Sequence, residues 1–259
     1  MSELLRAIQT KVGVTADGAY GPNTERAIAK SLGVVVEAKP AAPEEGQLTG
    51  LTVTEDSLRA VMEFECGGRS YYEKMYSSPS WPQGASGVTV GVGYDLGYNT
   101  KAQIMKDWSP VIGQRLAEIL AICAGIKGSA AQSHKNRIKV SVKISFEDAW
   151  LVFVRSSVPR FAKMTVRSFP NYKKMHNVTQ AMMLSVVFNR GGSLSGNRRR
   201  HMVQMRDATT DQGVINAIDA MKAIWPNSGG NHPGLRNRRN KEVTLIANRG
   251  NDTSKLIHV

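Results

Sequence analysis

Cysteine is almost missing from this chain of 259 residues, with Cys66 and Cys123 the only two. Two thiols cannot build a disulfide framework, and their scarcity fits a reducing compartment. Long apolar runs are missing as well. The most apolar stretch, Ala181 to Phe188, is far too short to cross a bilayer. Met1 to Val14 has no continuous apolar core, so no signal peptide is read there and cytoplasmic synthesis is expected. The histidines, His134, His176, His201, His232 and His258, are dispersed without paired ligand spacing, which argues against a zinc site. Gly91-x-Gly93 is followed by Leu96 rather than a third glycine, so there is no dinucleotide fingerprint. No metal and no cofactor is expected. Neither heptads nor an internal repeat is found, and a monomer is the expectation.

Negative charge is the scarcer sign. Basic side chains number 34 and acidic ones 21, for a net charge of +13. Residues 1–35 carry four basic and three acidic side chains, residues 36–50 one and three, and residues 51–259 the other 29 and 15. The large C-terminal part is therefore the cation, with basic clusters at Arg198-Arg199-Arg200 and from Arg236 to Lys241. Such a surface favours a polyanion. Zinc-finger spacing, an RNP-like run and a basic heptad region are all absent, so nucleic acid is not the expected partner. An acidic cell wall or an anionic membrane remains.

Composition divides the chain. Leu4, Leu5, Ile8 and Val12 have helical spacing, and a second short helix opens at Pro22 and ends at Gly33. Residues 1–35 therefore read as a small helical module, too thin in core to suggest an enzyme. Residues 36–50 are rich in Pro, Ala and Glu and read as a flexible linker. Residues 51–259 form the large domain. Thr54 can cap a helix with Leu58, Val61 and Met62 on its apolar face, stopped by Gly67-Gly68 just after Glu65. Ile112, Leu116, Ile119 and Leu120 make one stripe, and Ser145 caps a helix carrying Ala149, Trp150, Val152 and Phe153. Thr179 to Phe188 is apolar all round and predicts a buried central helix. Asp211 to Ile224 and Arg238 to Ala247 are further helix candidates. The fold class expected is α+β, mostly helical, with a small β lobe.

That lobe rests on Gly87-Val88-Thr89-Val90-Gly91-Val92-Gly93-Tyr94-Asp95. Valines alternate with glycines and one threonine, which predicts a strand within roughly 84–97. One face is nearly bare except for Thr89. If the strand continues, Asp95 points the same way as Thr89, six residues on. A bare floor, a hydroxyl and two carboxylates suit cleavage of a bulky polymer.

Two resemblances follow from these residues. Ala7-Ile8-Gln9, Asp17-Gly18-Ala19-Tyr20-Gly21-Pro22-Asn23-Thr24 and Ala27 together resemble a peptidoglycan-binding domain. That likeness implies wall contacts at Asp17, Tyr20, Gly21 and Thr24. Glu65-Cys66-Gly67-Gly68 with Thr89 to Gly93, Ala181 to Phe188 with Asn189-Arg190-Gly191-Gly192, and Gly234-Leu235-Arg236-Asn237-Arg238-Arg239-Asn240-Lys241-Glu242 resemble the T-even phage lysozymes. These are glycoside hydrolase family 24 and its pesticin-like relatives. The order Glu65, Thr89, Asp95 is similar to the pesticin type, since Lys74 stands where most of the family has Asp or Cys. The resemblance implies a two-lobed muramidase with Glu65, Thr89 and Asp95 catalytic and with substrate contacts at Asn189 and Arg190. Glu73 is the alternative second carboxylate. Glu63, two positions before Glu65, is placed on a different helix face.

Glycoside hydrolysis needs one carboxyl that donates a proton and one group that handles water or developing positive charge. A carboxyl near the negative end of a helix and beside apolar groups keeps its proton more readily. Glu65 fits that description, with Phe64, Tyr71 and Tyr72 nearby in sequence. Asp95 and Thr89 fit the second role. The whole reads as a modular endolysin cutting the bond between N-acetylmuramic acid and N-acetylglucosamine, released from the host cytoplasm to the periplasm by a holin. A lytic transglycosylase, a bacteriocin, a non-enzymatic wall-binding protein and a Cys66 amidase are the alternatives.

Overall fold

The computed structural model describes residues 2–13, 16, 28, 31, 49–224 and 233–259. The chain divides into two units, Met1–Ala41 and Ala42–Val259. In the first, α1 (Ser2–Lys11) places Glu3 in its first turn and Lys11 in its last. Both charges oppose the helix dipole and stabilise it. The expected wall contacts Asp17, Tyr20, Gly21 and Thr24 lie outside the described residues.

The second unit is mostly helical, with two small antiparallel sheets. The first sheet joins its two ends. β1 (Thr52–Thr54) pairs with β4 (Leu256–His258), with Thr52 opposite His258 and Thr54 opposite Leu256. Thr49 and Gly50, expected in the linker, already belong to this unit. The Thr49 amide donates to the Val259 carbonyl, and the Tyr172 hydroxyl donates to the Thr49 carbonyl.

α2 (Glu55–Cys66) follows β1 directly, and Leu58, Val61 and Met62 are buried as their spacing predicts. Thr54 is its N-cap, but makes no side-chain capping bond. Its hydroxyl donates instead to Asp252 just before β4 (2.6 Å), which fastens the two ends of the unit together. Gly67 ends α2 in the left-handed conformation at φ 76°. α3 (Arg69–Met75) comes next.

The expected single strand does not form. β2 (Thr89–Val90) and β3 (Tyr94–Asp95) are two short strands of a hairpin, turned at Gly91 and Gly93 with φ of 57° and 70°. Alternating glycines mimic a strand in sequence, but positive φ at two of them reverses the chain. Thr89 and Asp95 therefore face each other across strands rather than lying along one. Gly91 also lets Trp108 approach, since a Cβ there would sit 3.0 Å from the indole.

Beyond the hairpin come α4 (Lys101–Ile112), α5 (Gln114–Ala121), α6 (Ser129–Ile138) and α7 (Phe146–Val152). The predicted stripe is split by Gly113, so Ile112 ends α4 and Leu116, Ile119 and Leu120 lie on α5. Ser145 caps α7 as expected, accepting from the Asp148 amide at 3.0 Å. A π turn (Phe153–Ser157) joins α7 to α8 (Val158–Ser168). α9 (Asn177–Arg190) is the central helix, with every residue from Val178 to Val187 buried. A helix with no polar face must be wrapped on all sides. Its neighbours include α2, α8, β1, α11 (Asp211–Ala220) and α12 (Pro233–Ala247). α10 (Arg200–Asp207) lies between α9 and α11 in sequence. Among the described residues, no helix is long and apolar enough to cross a membrane.

Candidate functional site

Three segments far apart in sequence meet at one cleft. It measures about 740 Å³ and is lined by Glu63, Phe64, Glu65, Gly67 and Gly68 from the end of α2, by Asn189 from the end of α9, and by Gly234, Leu235, Asn237, Arg238 and Lys241 from α12. Glu63 shares it with Glu65, contrary to the helix-face expectation. The cleft opens around the last turn of α2, where residues of more than one face reach it.

Glu65 has a cation beside it. Arg238 Nη2 lies 2.7 Å from Glu65 Oε1, with the Glu65 side chain 28% exposed and that of Arg238 only 8%. The Arg238 guanidinium also stands over the Phe64 ring at 5.4 Å. Of the expected apolar neighbours, Phe64 alone lines the cleft. Tyr72 is buried elsewhere, its hydroxyl donating to the Ile144 carbonyl, and Tyr71 packs edge-on against Tyr76.

Behind Arg238 is a buried ionic cluster. Arg238 Nε and Arg239 Nη2 both approach Glu242 Oε1, at 3.2 and 2.9 Å. The Ser185 hydroxyl of α9 donates to the same oxygen at 2.5 Å, and Ser185 in turn accepts from Arg238 at 2.9 Å. Arg239 Nη2 also donates to Asn189 Oδ1 at 3.4 Å. Burial lowers the Arg239 guanidinium to about 10, with Glu242 opposing that fall. Burial pushes the Glu242 carboxyl up, against the pull of Arg239 and Arg238. The run from Arg236 to Lys241 is thus not simply a solvated basic face, because two of its arginines are interior.

The hairpin holds the other two expected catalytic residues, and neither Thr89 nor Asp95 lines the cleft. Both Asp95 oxygens accept from the Gly87 amide, at 3.1 and 3.0 Å, and Oδ1 accepts from the Gly97 amide at 2.8 Å. Position 87 requires glycine: a Cβ would lie 2.4 Å from Asp95 Oδ1 and 2.5 Å from the Gly97 backbone. The Thr89 hydroxyl oxygen is buried and has no hydrogen-bond partner among the described residues.

The remaining candidates fall outside this cleft. Arg190 is not among its lining residues. It donates to the Arg198 carbonyl, and Arg199 donates to the Arg190 carbonyl. Glu73 is exposed on α3 and pairs with Arg69 at 3.7 Å. Cys66 is buried and burial raises its thiol, which disqualifies it as a ready nucleophile. Among the described residues, no group of three metal-ligating side chains is gathered. Ser185 and Glu242 were missed as site residues. Both lie inside motifs that carry the resemblance, Ala181 to Phe188 and Gly234 to Glu242, and the local signal is an Arg and a Glu four apart on one helix and a lone serine inside an apolar one.

Residues 60–157 match a family described as a domain of unknown function, DUF8812. That span includes Glu65, Thr89 and Asp95 and stops short of Asn189 and Arg238. No curated protein matches the chain.

Proposed function

We propose that the second unit is a two-lobed, lysozyme-like muramidase in which Glu65 protonates the leaving oxygen of a β-1,4 bond in peptidoglycan. The observation that carries this reading is convergence. The end of α2, the end of α9 and the start of α12 bear three separate motifs, and all three line the cleft around Glu65. A general acid needs a fixed carboxyl at an accessible groove, and Arg238 fixes this one. Thr89 and Asp95, opposite each other on the hairpin, are assigned to the attacking water. Residues 1–35 are assigned to wall binding, and the whole to lysis of a host from within after release by a holin. The basic surface suits acidic wall polymers and anionic lipid.

A second reading has one observation in its favour. Asp95 is fastened by two backbone donors, the amides of Gly87 and Gly97, and is not part of the cleft lining. A lytic transglycosylase works with one acid and leaves an anhydro sugar. Mass spectrometry of fragments released from purified peptidoglycan separates the two. Fragments ending in reducing N-acetylmuramic acid support the muramidase, and anhydro ends support the transglycosylase. Intact glycan removes both.

A further inference from the structure

Arg238 serves two carboxylates at once. Its Nη2 is 2.7 Å from Glu65 and its Nε is 3.2 Å from Glu242, while Arg239 contacts Glu242 alone of the two. Around Glu65, the charges gathered from α2 and α12 are three carboxylates, Glu63, Glu65 and Glu242, and three cations, Arg238, Arg239 and Lys241. From α9 come Ser185 and Asn189, and Arg190 lies within electrostatic reach of Arg239. We propose that Glu242 is a positioning residue for the Glu65 acid: its buried charge offsets the Arg238–Arg239 pair, so that Glu65 meets a balanced cluster instead of a doubly positive one. This rests on the muramidase reading above.

A cation within about 4–6 Å of a carboxyl favours its anion, and a second unopposed cation favours it further. An acid that is always ionised has no proton to give. Burial alone favours the neutral form of Glu242, but two guanidiniums and the Ser185 hydroxyl gathered on Oε1 favour the anion, and in this buried position its charge is little screened by solvent. Its second oxygen, Oε2, has no hydrogen-bond partner among the described residues, so the carboxylate is held almost wholly through Oε1.

Charge balance makes opposite predictions for opposite substitutions, which a purely structural role does not. Rates of peptidoglycan hydrolysis are measured against pH for the full-length protein, Glu242→Gln, Arg239→Met and the double variant, with thermal melts alongside. Glu242→Gln leaves excess positive charge, so its alkaline limb moves to lower pH by about one unit or more. Arg239→Met leaves excess negative charge, and its alkaline limb moves to higher pH. The double variant restores the balance and its limb returns towards that of the unmodified protein. If Glu242→Gln does not fold, the other two variants carry the test. Limbs that stay in place, or that move the same way in both single variants, overturn the proposal while an active parent protein leaves the muramidase reading standing. A parent protein inactive at every pH removes that reading and this inference with it.

Discussion

The two carboxylates assigned to chemistry are held in opposite ways. Glu65 is held by a side-chain charge delivered from α12, 173 positions later in the chain, through a guanidinium that is itself buried against Glu242. Asp95 is held by amides of its own loop, Gly87 and Gly97. The first arrangement depends on the whole fold and responds to any change in buried charge. The second is nearly local, depends on the absence of a Cβ at position 87, and is insensitive to distant residues. Chemistry that needs a tunable proton is better placed at the first. A fixed hydrogen-bond acceptor is what the second provides.

Substitution sharpens this contrast. The largest effect belongs to Glu65→Gln, which is expected to lower the hydrolysis rate about 10²–10⁴-fold while the protein still binds peptidoglycan. A turbidity assay with a pull-down on purified sacculi checks both halves. Next comes Glu242→Ala, which strips the anion from two buried arginines and is expected to destabilise the unit by about 3–5 kcal/mol in chemical denaturation. Gly87→Ala drives a methyl group into Asp95 and Gly97 and is expected to cost about 1–3 kcal/mol. Its melt is expected to fall while the alkaline limb, the one that Arg239→Met moves, stays in place. Smaller still is Asp252→Asn. The Asp252 carboxyl is held below the usual range: burial opposes this, but Thr54 and Ser254 prevail. Its contribution is therefore present above about pH 4 and is lost as pH falls through the depressed value. Stability measured against pH should show a shallower acid limb in the variant. At the bottom, Glu73→Gln removes only an exposed pair with Arg69, and less than about 0.5 kcal/mol and no loss of activity are expected. A large activity loss there would return Glu73 as second carboxylate.

The same contrast explains what was legible in the sequence. α2 and α9 were readable because burial leaves an apolar periodicity, and Ser145 because a cap is a local hydrogen bond. The hairpin misled because Gly91 and Gly93 keep the alternation of a strand while adopting dihedrals no strand has. Thr89 and Asp95 nonetheless share a level, across strands instead of along one. Arg238 and Arg239 misled for a different reason. An arginine run reads as surface, and only the fold shows that Glu242 and Ser185 accept two of them inside. The closeness of Glu63 to the cleft was hidden because helix-face reasoning fails at a helix end.

The most direct test of the account is an NMR titration of the inactive Glu65→Gln protein with a soluble peptidoglycan fragment. Amide shifts are expected to cluster at Glu63 to Gly68, Asn189 and the start of α12, with a second group at Thr89 and Asp95. Shifts confined to other surfaces, or no shifts at saturating fragment, would contradict it.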